Sequence, residues 1–307
     1  MKKPIDNPTI LPFPADRVCA GVPDRLGLLA GSGHFPVQFV RNVQASGRSV
    51  FCVGIRGMAT AELAAECDEF RLASLARIGR AIRLFQKADV DHIVMAGRIH
   101  RTVLFDSFRW LRLLPDRRTL HMWYRYLRKG RRRDTMLRAL IREFARDGMR
   151  FESALDYAPD LVVKHGFLTH RKPTAAQWRD VQFGWEVATA MARLEVGQTV
   201  VVQDNAVIAV EALEGMDACI TRAGLLSRRG GFTVVRIARP QQDGRFDLPT
   251  IGIETIKMMH QAGGRVLAIE AGQTVILDAK EVAALADRFG IAIVAVNAEE
   301  VSLRCVA

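Results

Sequence analysis

The chain has 307 residues, a length that predicts two domains at about 150 residues each. Its 49% hydrophobic and 25% charged residues exclude a disordered or collagen-like chain. Five scattered cysteines without a CxxC motif exclude a disulfide-stapled miniprotein and favour a reducing, cytoplasmic setting.

Residues 1–24 predict an N-terminal arm. They begin with lysines, contain five prolines and lack an apolar core, so they do not have the pattern of a signal peptide. No apolar run in the sequence reaches the roughly 18 residues that a membrane span needs.

Residues 25–150 predict an N-terminal Rossmann-like domain. A short apolar strand over 26–30 leads through a glycine turn into a helix that ends near Gly47. The pattern then predicts a strand at SVFCVGI, a helix at TAELAAEC, a longer amphipathic helix at LASLARIGRAIRLFQKA and a strand at DHIVMAG. Alternating strands and helices of this kind indicate a parallel sheet with crossover helices.

The net charge of +11 is concentrated in one segment. Residues 98–150 hold 16 Arg and Lys against five Asp and Glu, and the rest of the chain has 28 of each. Residues 106–148 predict helices, broken at Pro115 and near Gly130, in which arginines alternate with aromatic residues. Solvated helices that pack their aromatics into the core are the favoured interpretation, followed by a surface that binds anionic lipid. No zinc-finger, RRM or zipper motif supports nucleic-acid binding.

Residues 151–307 predict a second, mixed α/β domain, joined to the first near the basic helices. Thr174 is a candidate N-cap for a helix over Ala175 to Leu194, and TVVVQDNAVIAVEA predicts a hairpin turning at Asp204-Asn205. The remaining predicted elements are a strand at TVVRIA, a helix at IETIKMMHQAG, a second hairpin at RVLAIEAGQTVIL, a helix at KEVAALADRFG and a strand at IAIVAV.

The turn AGSGHFP after the first strand is the first candidate binding site. Unpaired amides at a helix start attract phosphate, and Gly31 and Gly33 allow close backbone approach. A plain strand-to-helix turn explains the same residues equally well. An NAD site is disfavoured, because the second strand ends in Gly54-Ile55-Arg56 without the acidic residue that holds a ribose.

Three carboxylates follow a predicted buried strand within seven residues. Glu211, Glu214 and Asp217 supply the oxygen ligands that hard divalent cations prefer. The alternative is that Asp217 caps the next helix and the glutamates are surface residues.

A second polar cluster covers residues 236–255. It combines three arginines and two aspartates with a Pro-Thr-Ile-Gly turn before a helix: Arg236, Arg239, Arg245, Asp243 and Asp247. Such a loop suits a diphosphate held together with a metal ion, or a structural loop with internal salt bridges. Both clusters have the order strand, polar loop, helix start, so their loops can converge on one edge of a sheet.

From about Leu26 to Val296 the sequence resembles the LpxI-type UDP-2,3-diacylglucosamine diphosphatases of lipid A biosynthesis. The matching stretches include LGLLAGSGHFP, GFLTHRKPTAAQWRDVQFGWEVA, LEVGQTVVVQDNAVIAVEALEGMDACITRAG and ARPQQDGRFDLPTIGIETI. The resemblance implies two α/β domains with the acylated UDP-glucosamine substrate bound between them. It also implies hydrolysis to UMP and 2,3-diacylglucosamine 1-phosphate with Mg²⁺ or Mn²⁺, and a homodimer.

The family's essential aspartate lies in a Glu-Gly-Thr-Asp motif, which corresponds to Glu214-Gly215-Met216-Asp217 here. A second family motif, Gly-Asp-Asp, corresponds to Arg132-Arg133-Asp134, so each motif departs from the family at one or more positions. The resemblance implies catalytic roles for Asp217 and Asp247, and metal ligands at Asp217, Asp134, Asp243 and Glu214. Predicted substrate contacts are Gly31, Ser32, Gly33, Thr169, Arg239, Gln242, Arg245, Pro249, Thr250 and Gly252.

Three hypotheses follow. The first is a cytoplasmic, metal-dependent pyrophosphatase whose basic segment 98–150 contacts the inner-membrane surface, where its acylated substrate would lie. The second is a non-catalytic protein that binds a nucleotide sugar or lipid and keeps the fold. The third, a nucleic-acid binder, is disfavoured, and we expect no nucleic-acid partner.

Overall fold

A computed structural model describes residues 23–98, 115–127, 133–239, 245 and 248–303. Their contacts form two compact units, and the chain passes from the first to the second between Pro159 and Asp160. The predicted division at residue 150 falls within a strand, Arg150–Glu152, that belongs to the first unit. Arg245 groups with this N-terminal unit although it comes much later in the sequence.

The N-terminal unit contains a five-stranded, fully parallel sheet in the order β3-β2-β1-β4-β5. This confirms the predicted Rossmann-like sheet. The elements of the unit are β1 (Arg25–Ala30), α1 (Phe35–Ala45), β2 (Ser49–Ile55), α2 (Ala61–Glu66), β3 (Glu69–Ala73), α3 (Ile78–Lys87), β4 (His92–Ala96), α4 (Arg117–Leu127), α5 (Arg133–Ala145), β5 (Arg150–Glu152) and α6 (Ala154–Tyr157).

The core of this unit forms where the helices cover the sheet. Strands β1 and β2 are buried along almost their whole length, as expected for central strands with helices on both faces. Phe85 of α3 meets Phe51 of β2 edge-on, with ring centroids 5.8 Å apart, and also contacts Phe144 of α5. Aromatic packing therefore joins the basic helices to the sheet.

The third strand was missed by the sequence prediction. The segment predicted as one long helix from Leu72 contains the end of β3, and α3 begins only at Ile78. Strand β3 lies at the edge of the sheet, and its charged residues Glu69 and Arg71 leave no continuous apolar run. An exposed edge strand lacks the burial pattern that identifies a central one.

The basic helices α4 and α5 lie between β4 and β5, so they belong to the N-terminal unit rather than joining the two units. Trp123 packs against the core as the favoured interpretation predicts, whereas Tyr124 is 68% exposed. The other interleaved aromatic side chains, Phe105, Phe108, Trp110 and Tyr126, lie outside the described ones.

The C-terminal unit contains a six-stranded mixed sheet in the order β6-β13-β11-β9-β7-β8 and a short parallel pair, β10-β12. This confirms the predicted mixed α/β domain. Its elements are a 3-10 turn (Pro159–Leu161), β6 (Gly166–Phe167), α7 (Ala175–Arg193), β7 (Thr199–Gln203), β8 (Ala206–Val210), α8 (Met216–Leu226), β9 (Thr233–Arg236), β10 (Thr250–Ile251), α9 (Ile253–Ala262), β11 (Val266–Glu270), β12 (Val275–Ile276), α10 (Ala279–Phe289), β13 (Ala292–Val296) and α11 (Ala298–Leu303).

Local signals in this unit are confirmed. Thr174 caps α7 in a reciprocal capping box with Gln177. The β7–β8 hairpin turns at Asp204 and Asn205, which both have positive φ angles, as a two-residue hairpin turn requires. Gly263 ends α9 in the left-handed conformation.

The second predicted hairpin, at residues 265–277, is wrong. Strand β11 pairs with β9 and β13 inside the main sheet, whereas β12 pairs with β10. Residues Val266 to Ile269 are fully buried, so this run has the continuous apolar pattern of a central parallel strand. Among the residues that the structure describes, no helix is long and apolar enough to cross a membrane.

Candidate active site

The carboxyl ends of four strands meet at one edge of the C-terminal sheet. Strands β9, β11 and β13 are parallel, and β8 runs in the same direction because both β8 and β9 are antiparallel to β7 between them. The two polar clusters identified in the sequence begin at the ends of β8 and β9, so both start from this edge. Open α/β sheets bind ligands beyond the carboxyl ends of their strands.

Glu211 and Arg236 connect the ends of β8 and β9. Arg236 Nη1 donates to Thr199 Oγ1 at 2.9 Å and lies 3.4 Å from Glu211 Oε2, and the Thr199 hydroxyl donates to the same carboxylate at 2.5 Å. The Glu211 and Arg236 side chains are only 14% and 13% exposed. Arg236, Thr199 and Glu211 thus form a largely buried polar cluster, the brace, that joins the two strand ends. The Glu211 carboxylate is engaged within this cluster.

Helix α8 presents Asp217 at this edge. The helix begins at Met216 with Gly215 as its N-cap, so the alternative in which Asp217 caps the helix is wrong. Asp217 is half-buried in the first turn, where the helix dipole stabilises a negative charge. The Met216 side chain packs in the hydrophobic core. Met216, which replaces the family's threonine, therefore packs into the core and does not point to the carboxyl edge of the sheet.

Glu214 lies at the surface beside this helix. Its carboxylate pairs with Arg222 at 2.7 Å and accepts the Ala212 N–H at 3.2 Å. The pKa of Glu214 is below its ordinary value, because its own backbone N–H and the Arg222 guanidinium stabilise the ionised form against the opposing effect of partial burial. Glu214 is thus a charged carboxylate two positions before the helix starts.

Glu270, which the sequence analysis did not select, ends β11 at the same edge. Its Oε2 accepts the Ala238 N–H at 2.7 Å and so fixes the chain just after β9. Burial raises the pKa of Glu270, and the hydrogen bond from Ala238 only partly opposes that rise. The sequence could have revealed Glu270, because an acidic residue at the end of a buried apolar run is the same pattern that identified Glu211.

The second polar cluster is described only in part. Arg239 is half-buried just after β9, and Pro249, Thr250 and Gly252 lead into α9. The Pro249 carbonyl accepts the Val275 N–H at 2.8 Å, and the Thr250 hydroxyl donates to the Leu248 carbonyl at 3.1 Å. Gln242, Asp243 and Asp247 lie outside the described residues, so their predicted roles stay predictions.

The predicted metal ligands are likewise only partly described. Asp134 lies in α5, but its side chain is outside the described ones, as is Asp243. Within the described residues, no group of three or more metal-ligating side chains occurs. The carboxylates of Asp217 and Glu214 have the oxygen chemistry that a hard divalent cation requires.

Thr169 has a structural role in this unit, and its predicted contact with substrate stays a prediction. Its side chain is buried, and the hydroxyl donates to the Arg171 carbonyl at 2.9 Å while accepting the Ile293 N–H at 2.9 Å. The hydroxyl therefore attaches the 166–171 segment to β13.

The glycine turn after β1 also differs from the prediction of free amides. The Gly31 N–H donates to the Ala96 carbonyl at 2.9 Å, and the Ser32 N–H donates to the Arg98 carbonyl at 3.0 Å. A Cβ atom on Gly31 would lie 2.6 Å from that Arg98 oxygen. Close approach to another backbone segment thus explains Gly31, and the expectation of free amides is wrong for Gly31 and Ser32.

Comparison with known families identifies both units. The family model for the LpxI N-terminal domain matches residues 25–161, and the model for the LpxI C-terminal domain matches residues 164–294. The chain belongs to the LpxI family. A relative from Caulobacter vibrioides, UDP-2,3-diacylglucosamine pyrophosphatase LpxI, is 30% identical over 289 residues, which cover 90% of this chain and 99% of the relative.

Similarity to solved structures is weaker. The biotin carboxylase subunit of pyruvate carboxylase is 12% identical with a TM-score of 0.25, over 61% of this chain and 35% of that one. Glycinamide-RNase-transformylase T from Mycobacterium tuberculosis is 14% identical with a TM-score of 0.21, over 61% of this chain and 44% of that one. At these TM-scores the likenesses carry no functional information, so the LpxI family assignment depends on sequence.

Proposed function

We propose that this protein hydrolyses the diphosphate of UDP-2,3-diacylglucosamine and releases UMP and 2,3-diacylglucosamine 1-phosphate. The similarity to the Caulobacter vibrioides pyrophosphatase, which spans 99% of that relative, carries the proposal. The position of Asp217 supports it, because the aspartate of the Glu-Gly-x-Asp motif lies in the first turn of a helix at the carboxyl edge of an α/β sheet.

Asp217 is the central catalytic group in this proposal. A diphosphate repels an approaching hydroxide, so hydrolysis needs neutralised phosphate charge and a positioned water. Asp217 serves as a metal ligand or as the base that takes a proton from the water. Asp247 assists it, and Arg239 and Arg245 neutralise phosphate oxygens.

A divalent cation completes the proposed site. Asp217, Glu214, Asp134 and Asp243 would hold Mg²⁺ or Mn²⁺, which supplies positive charge next to the phosphate oxygens when bound. The carboxylate chemistry of the donor set fits such an ion. We also propose that the basic segment 98–150 attracts the anionic inner-membrane surface and that the protein acts there as a homodimer.

The test measures UMP release from the acylated UDP-sugar, with Mg²⁺ and with a chelator. We expect Asp217→Asn to lower the rate at least about 100-fold, because a group required in the transition state is lost. Glu281→Gln is the matched control, since it removes an exposed carboxylate from the first turn of α10. Its rate should equal that of the wild type.

The catalytic role of Asp217 fails if the Asp217→Asn protein is as fast as the wild type, and the hydrolase proposal fails if the wild type releases no UMP. Tight retention of intact UDP-sugar, without UMP release in Mg²⁺ or Mn²⁺, would identify a binding protein instead. Native mass spectrometry of the purified protein distinguishes bound substrate from bound product. A rate unaffected by chelator would remove the metal ion from the mechanism and leave the hydrolase proposal in place.

A further inference from the structure

Two exposed leucines end helix α8 in the C-terminal unit. Leu225 and Leu226 are the last residues of the helix, and they are 81% and 61% exposed. The buried face of this helix is formed by Met216, Cys219, Ile220 and Ala223. Both leucines fall outside that face, so packing into the core does not explain them. Adjacent leucines at such exposure are typical of a surface that binds another apolar surface.

A β-turn with two arginines follows these leucines directly. The Gly230 N–H donates to the Ser227 carbonyl at 3.2 Å, so Arg228 and Arg229 are the two central residues of the turn. Both arginines are exposed. Residues 225–229, the LLSRR loop, therefore present apolar and cationic side chains next to each other.

The Gln203 side chain holds both ends of the turn. Its Oε1 accepts a hydrogen bond from the Ser227 hydroxyl at 2.7 Å, and its Nε2 donates to the Gly230 carbonyl at 2.8 Å. The LLSRR loop is thus fixed to the end of β7 before any partner arrives. A fixed loop loses little conformational entropy on binding, which favours a role in recognition.

Positive charge exceeds negative charge around the LLSRR loop. Asp204, which follows Gln203, is an exposed carboxylate near the turn. The Arg265 N–H donates to the Phe232 carbonyl at 2.9 Å, so an exposed cation begins the strand that pairs with the chain leaving the loop. Together with the two arginines of the turn, these side chains make a cationic surface beside the leucines.

This combination matches the two layers of an anionic membrane surface, whose phosphates attract arginine and whose acyl chains accept leucine. A stable protein interface takes about 20–30 residues from each partner, whereas shallow insertion into lipid needs only a few apolar side chains. We infer that the LLSRR loop is a contact site for a membrane surface that contains anionic lipid. Leu225 and Leu226 enter the acyl-chain region, and the arginines of the turn bind lipid phosphates. This site goes beyond the proposed function and lies in a different unit from the basic segment 98–150.

The test is flotation of the full-length protein with vesicles of phosphatidylglycerol and phosphatidylcholine, compared with phosphatidylcholine alone. The wild type should float with the anionic vesicles. Leu225→Asn/Leu226→Asn should lower the partition coefficient at least about tenfold, because two apolar side chains no longer leave water. Arg228→Gln/Arg229→Gln should lower it about tenfold, because two attractions to lipid phosphates are lost.

The matched control is Arg193→Gln/Leu194→Asn at the end of α7. Leu194 is 75% exposed and has an arginine before it, but the exposed Glu195 follows it. This variant should partition like the wild type. A second measurement keeps the loop apolar: brominated acyl chains should quench the added fluorescence of Leu226→Trp more strongly than that of Leu194→Trp.

The inference is overturned if the wild type does not bind the anionic vesicles, or if binding survives either double substitution in the LLSRR loop. An equal loss in the Arg193→Gln/Leu194→Asn control, or equal quenching at the two tryptophan positions, would also overturn it. None of these measurements requires turnover, so this inference and the hydrolase proposal can fail separately.

Discussion

Arg236 and Glu211 lie side by side at the carboxyl edge of the C-terminal sheet, with 3.4 Å between Nη1 and Oε2. Arg236 ends β9 and Glu211 directly follows β8. The Thr199 hydroxyl connects the two side chains, because it accepts a hydrogen bond from Arg236 and donates one to Glu211. The Nε atom of Arg236 is buried, and no acceptor among the described residues hydrogen-bonds to it. The charge of Arg236 therefore depends on Glu211 for its compensation.

Replacing Glu211 by Gln should destabilise the protein. The amide keeps an acceptor for Thr199 but leaves the largely buried Arg236 without a counter-charge, at a cost of about 2 kcal/mol. Urea unfolding measures the loss, and Glu281→Gln, on an exposed helix surface, provides the comparison. Equal unfolding free energies for the two variants would contradict the brace described here.

Substitution of Gly215 should lower both stability and UMP release. Gly215 has φ of +86° and ψ of 169°, a region open essentially only to glycine, while a Cβ there would meet no atom within 4 Å. Gly215→Ala should cost about 1–3 kcal/mol in backbone strain alone and displace Asp217 by moving the start of α8. Gly47→Ala, with φ of +80° in a turn of the other unit, is the control for strain away from the site. If both variants release UMP equally fast, the start of α8 does not set the catalytic geometry.

Glu270 should make stability depend on pH. Burial raises its pKa in the folded protein, so the folded state holds this proton more tightly than the unfolded chain does. The stabilising contribution of the Glu270 proton to the free energy of unfolding is complete below the ordinary glutamate pKa of about 4.3. It is lost as the pH rises through the raised pKa of Glu270 in the folded protein. Glu270→Gln keeps an acceptor for the Ala238 N–H and cannot ionise. The wild-type unfolding free energy, measured relative to this variant, should therefore fall from pH 4 to 7; a constant difference would refute the assignment.

Substitution by alanine should destabilise the protein more at Gly31 than at Gly33. A Cβ on Gly31 would press on the backbone oxygen of Arg98, at an expected cost of about 2–3 kcal/mol, whereas Gly33 has open space around it and only the strain of φ +101°. Gly31→Ala should also speed hydrogen exchange at the Ser32 amide, which donates to Arg98. Exchange at Ser32 that is no faster in Gly31→Ala than in Gly33→Ala would show that the backbone bridge is not what requires Gly31.

The sequence predicts the fold best where local and tertiary preferences agree. The Thr174 capping box and the Asp204-Asn205 turn are determined by a few neighbouring residues, so their chemistry is visible in the sequence. Strand β3 and the pairing of β12 depend on partners distant in the chain. The exposed residues of β3 and the two-residue length of β12 carry too little pattern to reveal those partners.

The sequence predicted at which edge of the C-terminal sheet the candidate site lies. The strand pairing confirms that the polar residues after β8 and β9 start from the same edge of the sheet. That their loops converge there stays a prediction. The sequence did not show which of these polar residues form structural ion pairs and hydrogen bonds. Glu211 is occupied by Arg236, Glu214 by Arg222, and Thr169 by backbone groups, and each of these pairings arises only when distant segments meet.

Among the strands that the structure describes, β8 pairs with β7 alone, whereas β9 and β11 each pair with a strand on both sides. Most side chains of β8 are at least partly exposed. Opening of the β8 end therefore breaks fewer contacts than unfolding of the sheet, and local opening costs less than global unfolding. The residues that lead into helix α8, and so to Asp217, follow this edge strand. Amide exchange should accordingly be faster in β8 than in β9, and the start of helix α8 with Asp217 would then have more freedom to adjust to a ligand than the residues that follow β9.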